Sequence, residues 1–283
     1  MNMEKKKILS VLAVLAILVI GVLFITGGDD SEAEQVAVTG SSTVLPIAQS
    51  AAEEFNAQRD DIQVSVSGGG SGWGIEALRE GTADIGMSSR GIYEDEKQDI
   101  EDARGEEVNE YTVAKDGLAI IVNEYIYENG IQSLNKEEVV DIYSGNITNW
   151  EELGGPDEQI FVVERSEVSG TYGSFMDMMG LSETVADTQG QENADVRRTV
   201  MNTNTAIGYV GLGYIGGEAP AVSFNGVTPS IETVQDGDYE LVRDLHFYTV
   251  GGLDNATQEY IDFVLSSEGQ QIVEDEGFIP IKD

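Results

Sequence analysis

Cysteine is absent from the sequence and histidine occurs once, at His246. Disulfides, thiolate metal sites and lipid attachment through a cysteine are therefore excluded, and a His-rich metal cluster cannot form. Basic residues are scarce as well: 15 Lys and Arg stand against 52 Asp and Glu, a net charge of -37. A chain of that charge repels nucleic acid, whose binding rests on neutralised phosphates, so no nucleic-acid partner is expected. The acidic residues are spread along the chain (Glu94, Asp95, Glu96; Glu101, Asp102; Glu106, Glu107; Glu151, Glu152) and do not gather in one tail. They read as a solvated surface. Self-repulsion of this size is tolerable where salt shortens the Debye length to about 3 Å at 1 M. A salt-rich habitat is thus preferred over an acidic secreted protein in ordinary medium.

What is present begins with Lys5, Lys6 and Lys7, succeeded by an almost unbroken apolar run from Ile8 to Ile25. The run is long for a signal peptide and just long enough to span a bilayer, so it is either an export signal or a membrane anchor. The lysines before it favour a cytoplasmic N-terminus and place the remainder of the chain outside the cytoplasm. Residues 1–34 are therefore expected to be a signal or anchor plus a polar linker that contacts the membrane.

From Gln35 onward strands alternate with helices, the pattern of an α/β fold. Strands are expected at Val36–Val38, Ile62–Val66, Asp84–Met87, Leu118–Val122, Ile160–Val163, Ile207–Val210 and Leu245–Val250. Val44, Ile47, Ala48, Ala51, Ala52 and Phe55 recur at helical spacing behind a Ser42, Thr43 cap. A second helix starts after Ser71, and a third after Thr171 with Phe175, Met176 and Met179 facing inward. Others are expected at Lys136–Tyr143, Ile231–Gln235 and Gln258–Glu274.

Three of these helices open on runs of Gly, Ser and Thr: TGSST at Thr39–Thr43, SGGGSGWG at Ser67–Gly74 and SGTYGSF at Ser169–Phe175. The first amides of a helix have no internal partner, and the peptide dipoles leave about half a positive charge there. Gly permits close approach of the backbone, and Ser and Thr add hydroxyl donors. One such run is ordinary capping chemistry. Three at strand ends, with Arg165 just ahead of one, point to an oxyanion site. The expected donors are Ser42, Thr43, Ser71, Ser89, Ser169, Gly170 and Thr171, with Arg90 and Arg165 supplying charge and bidentate geometry. A protonated oxyanion also needs an acceptor, and Asp116, at the head of the apolar KDGLAIIVN segment, is favoured for it over a plain strand-entry Asp.

The segments TGSSTVLPI, SGGGSGWGI, TADIGMSSR, AKDGLAIIVN, RSEVSGT, AIGYVGLGYI, YELVRDLHFYTVGG and SSEGQQIVEDEGFIPI succeed one another along the chain. In this order they resemble the periplasmic-type phosphate-binding proteins, the extracytoplasmic receptors of phosphate ABC importers. The resemblance implies a two-lobed periplasmic-binding-protein fold of type II, its lobes joined by two crossing strands. Lobe 1 would hold residues 35–113 and 244–283, and lobe 2 residues 114–243. The implied ligand is inorganic phosphate, and the implied partners are permease subunits. Carried over by motif, Thr43 and Val44 would donate from the first loop, Ser71 from the second, and Arg165, Ser169, Gly170 and Thr171 from the second lobe. Some family members carry an Asp where this chain has Ser89, with no Arg after it, which leaves the proton acceptor open.

No cofactor, metal or catalytic residue is expected. A receptor for sulfate, molybdate or tungstate is the alternative within the class, and a phosphate sensor is another. A phosphate-ester hydrolase is disfavoured, since the only His lies in the apolar LHFYTV segment and no compact carboxylate motif for a metal occurs.

Overall fold

The computed structural model describes residues 33–281 apart from 191. The leader, with its reading as a signal or anchor, lies outside the described residues. Among the described residues no helix is long and apolar enough to cross a membrane.

The chain forms β1 (Glu34–Gly40), α1 (Leu45–Gln58), β2 (Ile62–Ser67), α2 (Ser71–Glu80), β3 (Ile85–Ser88), α3 (Glu94–Arg104) and β4 (Val108–Val122). It continues through α4 (Glu124–Glu128), β5 (Ser133–Leu134), α5 (Lys136–Tyr143), β6 (Phe161–Arg165), α6 (Gly170–Met179), β7 (Thr188–Gly190), α7 (Asn193–Asn202) and β8 (Ala206–Gly211). It closes with β9 (Ser223–Phe224), α8 (Ile231–Gln235), β10 (Val242–Val250), α9 (Asn255–Leu265) and α10 (Ser267–Asp275).

Eight strands form one mixed sheet in the order β2-β1-β3-β10-β4-β8-β6-β7. β1 pairs in parallel with β2 and β3, and β6 in parallel with β7 and β8. Between these parallel groups run β10 and β4, antiparallel to each other and to their outer neighbours. β4 is the longest strand: Val108–Gly117 pairs with β10, and Leu118–Val122 pairs with β8. It passes without a break from one lobe to the other, and β10 returns beside it.

Each lobe has its own core. In the first, Val36, Val38, Ile85 and Met87 of the sheet pack against Ile47, Ala48, Ala51 and Phe55 of α1 and against Tyr260 and Ile261 of α9. The α1 residues are those whose spacing marks a helix face, each contributing about 1.5–3 kcal/mol when a large side chain is fully buried. In the second, Leu118, Ile120 and Val122 meet Trp150, Phe175 and Tyr209. The Phe175 and Tyr209 rings stack at 3.9 Å between centroids and 5° between planes, so Phe175 and its neighbours Met176 and Met179 are core, as their spacing indicates.

Several boundaries differ from expectation. The helix expected over Gln258–Glu274 is two helices, because Ser266 ends α9 in extended backbone and its hydroxyl accepts from the Gly269 amide to start α10. The helix expected behind a Ser42, Thr43 cap begins at Leu45 with Val44 at the cap position and no side-chain cap; Ser41 Oγ accepts from the Thr43 and Val44 amides at 3.2 and 3.4 Å in the turn ahead of it. The strand expected at Leu118–Val122 is only the end of β4, since the polar first half, VNEYTVAKD, lacks an alternating apolar signal. Helix α3 is hidden in the sequence by its charge. Its start is fixed by Glu96, which accepts from the Tyr93 amide, and it buries only Ile100.

Candidate functional site

The three Gly/Ser/Thr runs all lie between the end of a strand and the start of a helix: β1 to α1, β2 to α2 and β6 to α6. Local chemistry explains the turns. Gly70 sits at φ +122°, a conformation that favours glycine, and an added Cβ would come within 2.8 Å of the Val168 carbonyl oxygen of the other lobe. Ser169 caps α6, its Oγ accepting from the Thr171 amide at 3.1 Å.

The loops then meet across the lobes. Thr43 Oγ1 and Thr171 Oγ1 are 3.2 Å apart, and Ser71 Oγ lies 3.5 Å from Ser89 Oγ. The Ser89 amide donates to Ser71 Oγ at 3.1 Å, and Ser174 Oγ of α6 donates to the Ser89 carbonyl at 2.9 Å. Gly170 packs so tightly that a Cβ there would sit 2.2 Å from Ser71 Oγ and 2.5 Å from Ser89 Oγ. Ser42, Thr43, Val44, Ser71, Ser89, Ser169 and Thr171 are all buried.

Arg165 runs through this cluster. It is 1% exposed, donating from Nη2 to Ser42 Oγ at 3.1 Å and from Nη1 to Asn193 Oδ1 at 2.8 Å. Burial pushes its guanidinium down to about 10, partly opposed by Glu192, which leaves it a cation at neutral pH. Asn193 in turn donates from Nδ2 to Thr43 Oγ1 at 3.1 Å. Hydroxyls, amides and a buried cation from both lobes thus gather in one cluster between them. A donor set of this kind suits a compact anion with several acceptor oxygens.

Two residues behave differently from the sequence reading. Arg90, expected as a charge donor, turns its guanidinium to Glu96 in a bidentate pair at 2.6 and 2.8 Å and lies 3.9 Å over the Tyr93 ring. Glu96 is at the N-terminal turn of α3, the helix hidden in the sequence, so the competing partner is hidden with it. Asp116 is fully buried, but its carboxylate faces Arg243, whose Nε and Nη2 donate to Oδ2 at 3.1 and 2.7 Å. Burial raises the Asp116 carboxyl, against the pull of Arg243 and of the Leu212 and Gly117 amides.

Arg243 and Asn193 join the cluster without having been expected there. Arg243 stands opposite Asp116 in the β4–β10 register, and its Nη2 also reaches Thr43 Oγ1 at 3.5 Å. The only signal for it is its place within the YELVRDLHFYTVGG segment; for Asn193 the sequence offers none.

The chain matches the PBP superfamily domain over residues 26–268. It is 33% identical over 260 residues to the phosphate-binding protein PstS of Bacillus subtilis, covering 90% of this chain and 84% of that one. It is 30% identical to the phosphate-binding protein PstS of Borreliella burgdorferi, covering 96% and 99%. Among solved structures, a putative phosphate ABC transporter substrate-binding protein from Clostridium perfringens, with bound phosphate, superposes at a TM-score of 0.79 with 33% identity, covering 88% of this chain and 100% of the other. An ABC-type phosphate transport receptor from Vibrio cholerae gives 0.73 at 32% identity, covering 86% and 99%.

Proposed function

The chain belongs to the PBP superfamily, among the PstS-type phosphate-binding proteins, and from that premise we propose that it captures inorganic phosphate between its lobes outside the cytoplasm and delivers it to the permease of an ABC importer. The observation that carries this reading is the convergence of the buried Arg165 with Ser42, Thr43 and Thr171 from opposite lobes. Ser42, Thr43, Val44, Ser71, Ser89, Ser169, Gly170 and Thr171 would supply hydroxyl and amide donors, and Arg165 the charge. With a global charge of -37, an anion is held here by local donors against the field of the whole protein.

Closure explains binding without catalysis. A ligand that touches both lobes favours the state in which they meet, by the contacts it makes only there. The one histidine that could serve a hydrolase is engaged in the sheet: His246 lies in β10 with Nδ1 3.0 Å from Glu110 Oε1. The hydrophobic leader supports a protein held at or released from the outer face of the membrane, where a permease would receive the ligand.

Calorimetric titration with phosphate, sulfate, arsenate and molybdate tests the reading. Phosphate is expected to bind at about micromolar Kd or tighter, and Arg165→Ala to weaken it about a thousandfold. No heat with phosphate, or an Arg165→Ala protein that binds it normally, would sink the assignment.

A further inference from the structure

At the point where β4 leaves β10 for β8, two buried charges face each other across the strands. Arg243 is opposite Asp116 in register, with side chains 3% and 0% exposed. The pair stands at the border of the anion cluster, since Arg243 Nη2 also approaches Thr43 Oγ1, the hydroxyl that bonds Thr171 and Asn193.

The hydrogen-bond inventory of this pair is uneven. An ionised carboxylate offers about four acceptor positions. Asp116 meets Arg243 Nε and Nη2 on Oδ2 and the Leu212 amide on Oδ1 at 3.1 Å. Most of its acceptor capacity is thus spent on the protein's own donors, not turned to a ligand. Arg243, by contrast, has a surplus donor: among the described residues its Nη1 is buried without a hydrogen-bond partner. A buried charged donor left unmatched costs more than a neutral one, so such groups are met by a partner when the protein works.

We propose that Arg243 is a second guanidinium ligand of the bound anion, donating from Nη1, and that Asp116 is the positioning residue that aims it, not the acceptor of the anion's proton. This rests on the phosphate-receptor reading and deepens it. The cluster then has two buried guanidinium groups, Arg165 and Arg243, with Asp116 buried against Arg243 and the more exposed Glu192 4.0 Å from Arg165. Asp116 sets the fork by holding the Nε–Nη2 edge, which leaves Nη1 as the free tine. Recognition of the anion would come from charge and donor geometry, supplied by the crossing strands as well as by the loops.

Isothermal titration of the full chain with inorganic phosphate and with sulfate tests this. Arg243→Gln alone would strand the Asp116 charge in the interior, so the double substitution Arg243→Gln with Asp116→Asn is the first variant, because removing both members of a buried pair is far milder than removing one. It is expected to fold, and to bind phosphate about 100-fold more weakly than the parent. Arg243→Lys keeps the charge without the planar fork and is expected to lose about tenfold. Asp116→Asn alone is expected to weaken phosphate by about tenfold, and sulfate affinity is not expected to rise. A double variant that binds within about threefold of the parent overturns the ligand role of Arg243. An Asp116→Asn protein that loses phosphate while gaining sulfate makes Asp116 the proton acceptor after all, and one with unchanged phosphate affinity removes its positioning role. If the unmodified protein binds no phosphate, the receptor reading itself falls; if it binds and the variants do not respond, only this inference does.

Discussion

The Gly/Ser/Thr loops and the β4–β10 crossing reach the same cluster by opposite routes. A loop brings its donors through local chain geometry: a strand ends, a glycine turns, a helix begins, and amides and hydroxyls point at one place within a few residues. The crossing brings Arg243 to Asp116 from 127 positions away, through strand register alone. The loops therefore make a site that exists in halves within each lobe. The crossing adds its charged pair at the join, where β4 passes from its pairing with β10 to its pairing with β8.

The contrast can be tested first at Gly170, where the halves meet most tightly. An added Cβ clashes with Ser71 and Ser89 only when the lobes are together. Gly170→Ala is therefore expected to weaken phosphate binding roughly tenfold to a hundredfold. The melting temperature without ligand should stay level or rise slightly, because Ala favours the helix that starts there. A matching fall in both would show that Gly170 serves the fold and not the meeting of lobes.

A smaller effect is expected at Arg90, which lies beside the cluster but commits its guanidinium to Glu96 and Tyr93. Arg90→Ala should destabilise the protein by about 1 kcal/mol, the range of partly exposed ion pairs and cation–π contacts. Phosphate affinity should change less than about fivefold, since no donor leaves the cluster. A loss as large as that for Arg165 would return Arg90 to the ligand set and blur the difference between wall and support.

The smallest effect concerns His246, which lies on β10 beyond Arg243 and faces Glu110 instead of the anion cluster. Burial lowers its imidazole below the ordinary 6.5, against the pull of Glu110 and Asp244. As pH falls through about 6.5 the unfolded chain takes the proton before the folded one does, so this residue's contribution is present above that pH and is lost toward acid. His246→Gln should flatten the fall in melting temperature between about pH 7 and pH 5 while leaving phosphate affinity at neutral pH unchanged. A variant whose acid profile matches the parent's would show that the carboxylates alone set it.

Legibility divides along the same line. The loop residues Ser42, Thr43, Ser71, Ser169, Gly170 and Thr171 are readable because each lies at a strand end within a short Gly/Ser/Thr run, and backbone chemistry of that kind is local. Arg165 is readable for the same reason, just ahead of Ser169. Arg90 reads as a donor because nothing nearby in an acidic, nonperiodic stretch announces α3, whose Glu96 takes its charge. Asn193 and Arg243 have no local pattern. One lies at the start of a polar helix; the other lies on a strand whose polar partner half carries no alternation.

The sequence by itself determined the α/β alternation, the hydrophobic helix faces that build each core, the places where amides and hydroxyls cluster, and an acidic exterior that leaves anion capture to local donors. These come from periodicity, capping and charge, all of which act over a few residues. Only the tertiary structure decided which charges face each other. Asp116 meets Arg243 in a nearly dry interior, and Arg90 meets Glu96 nearer the surface, because strand register and helix placement bring those opposite charges within reach.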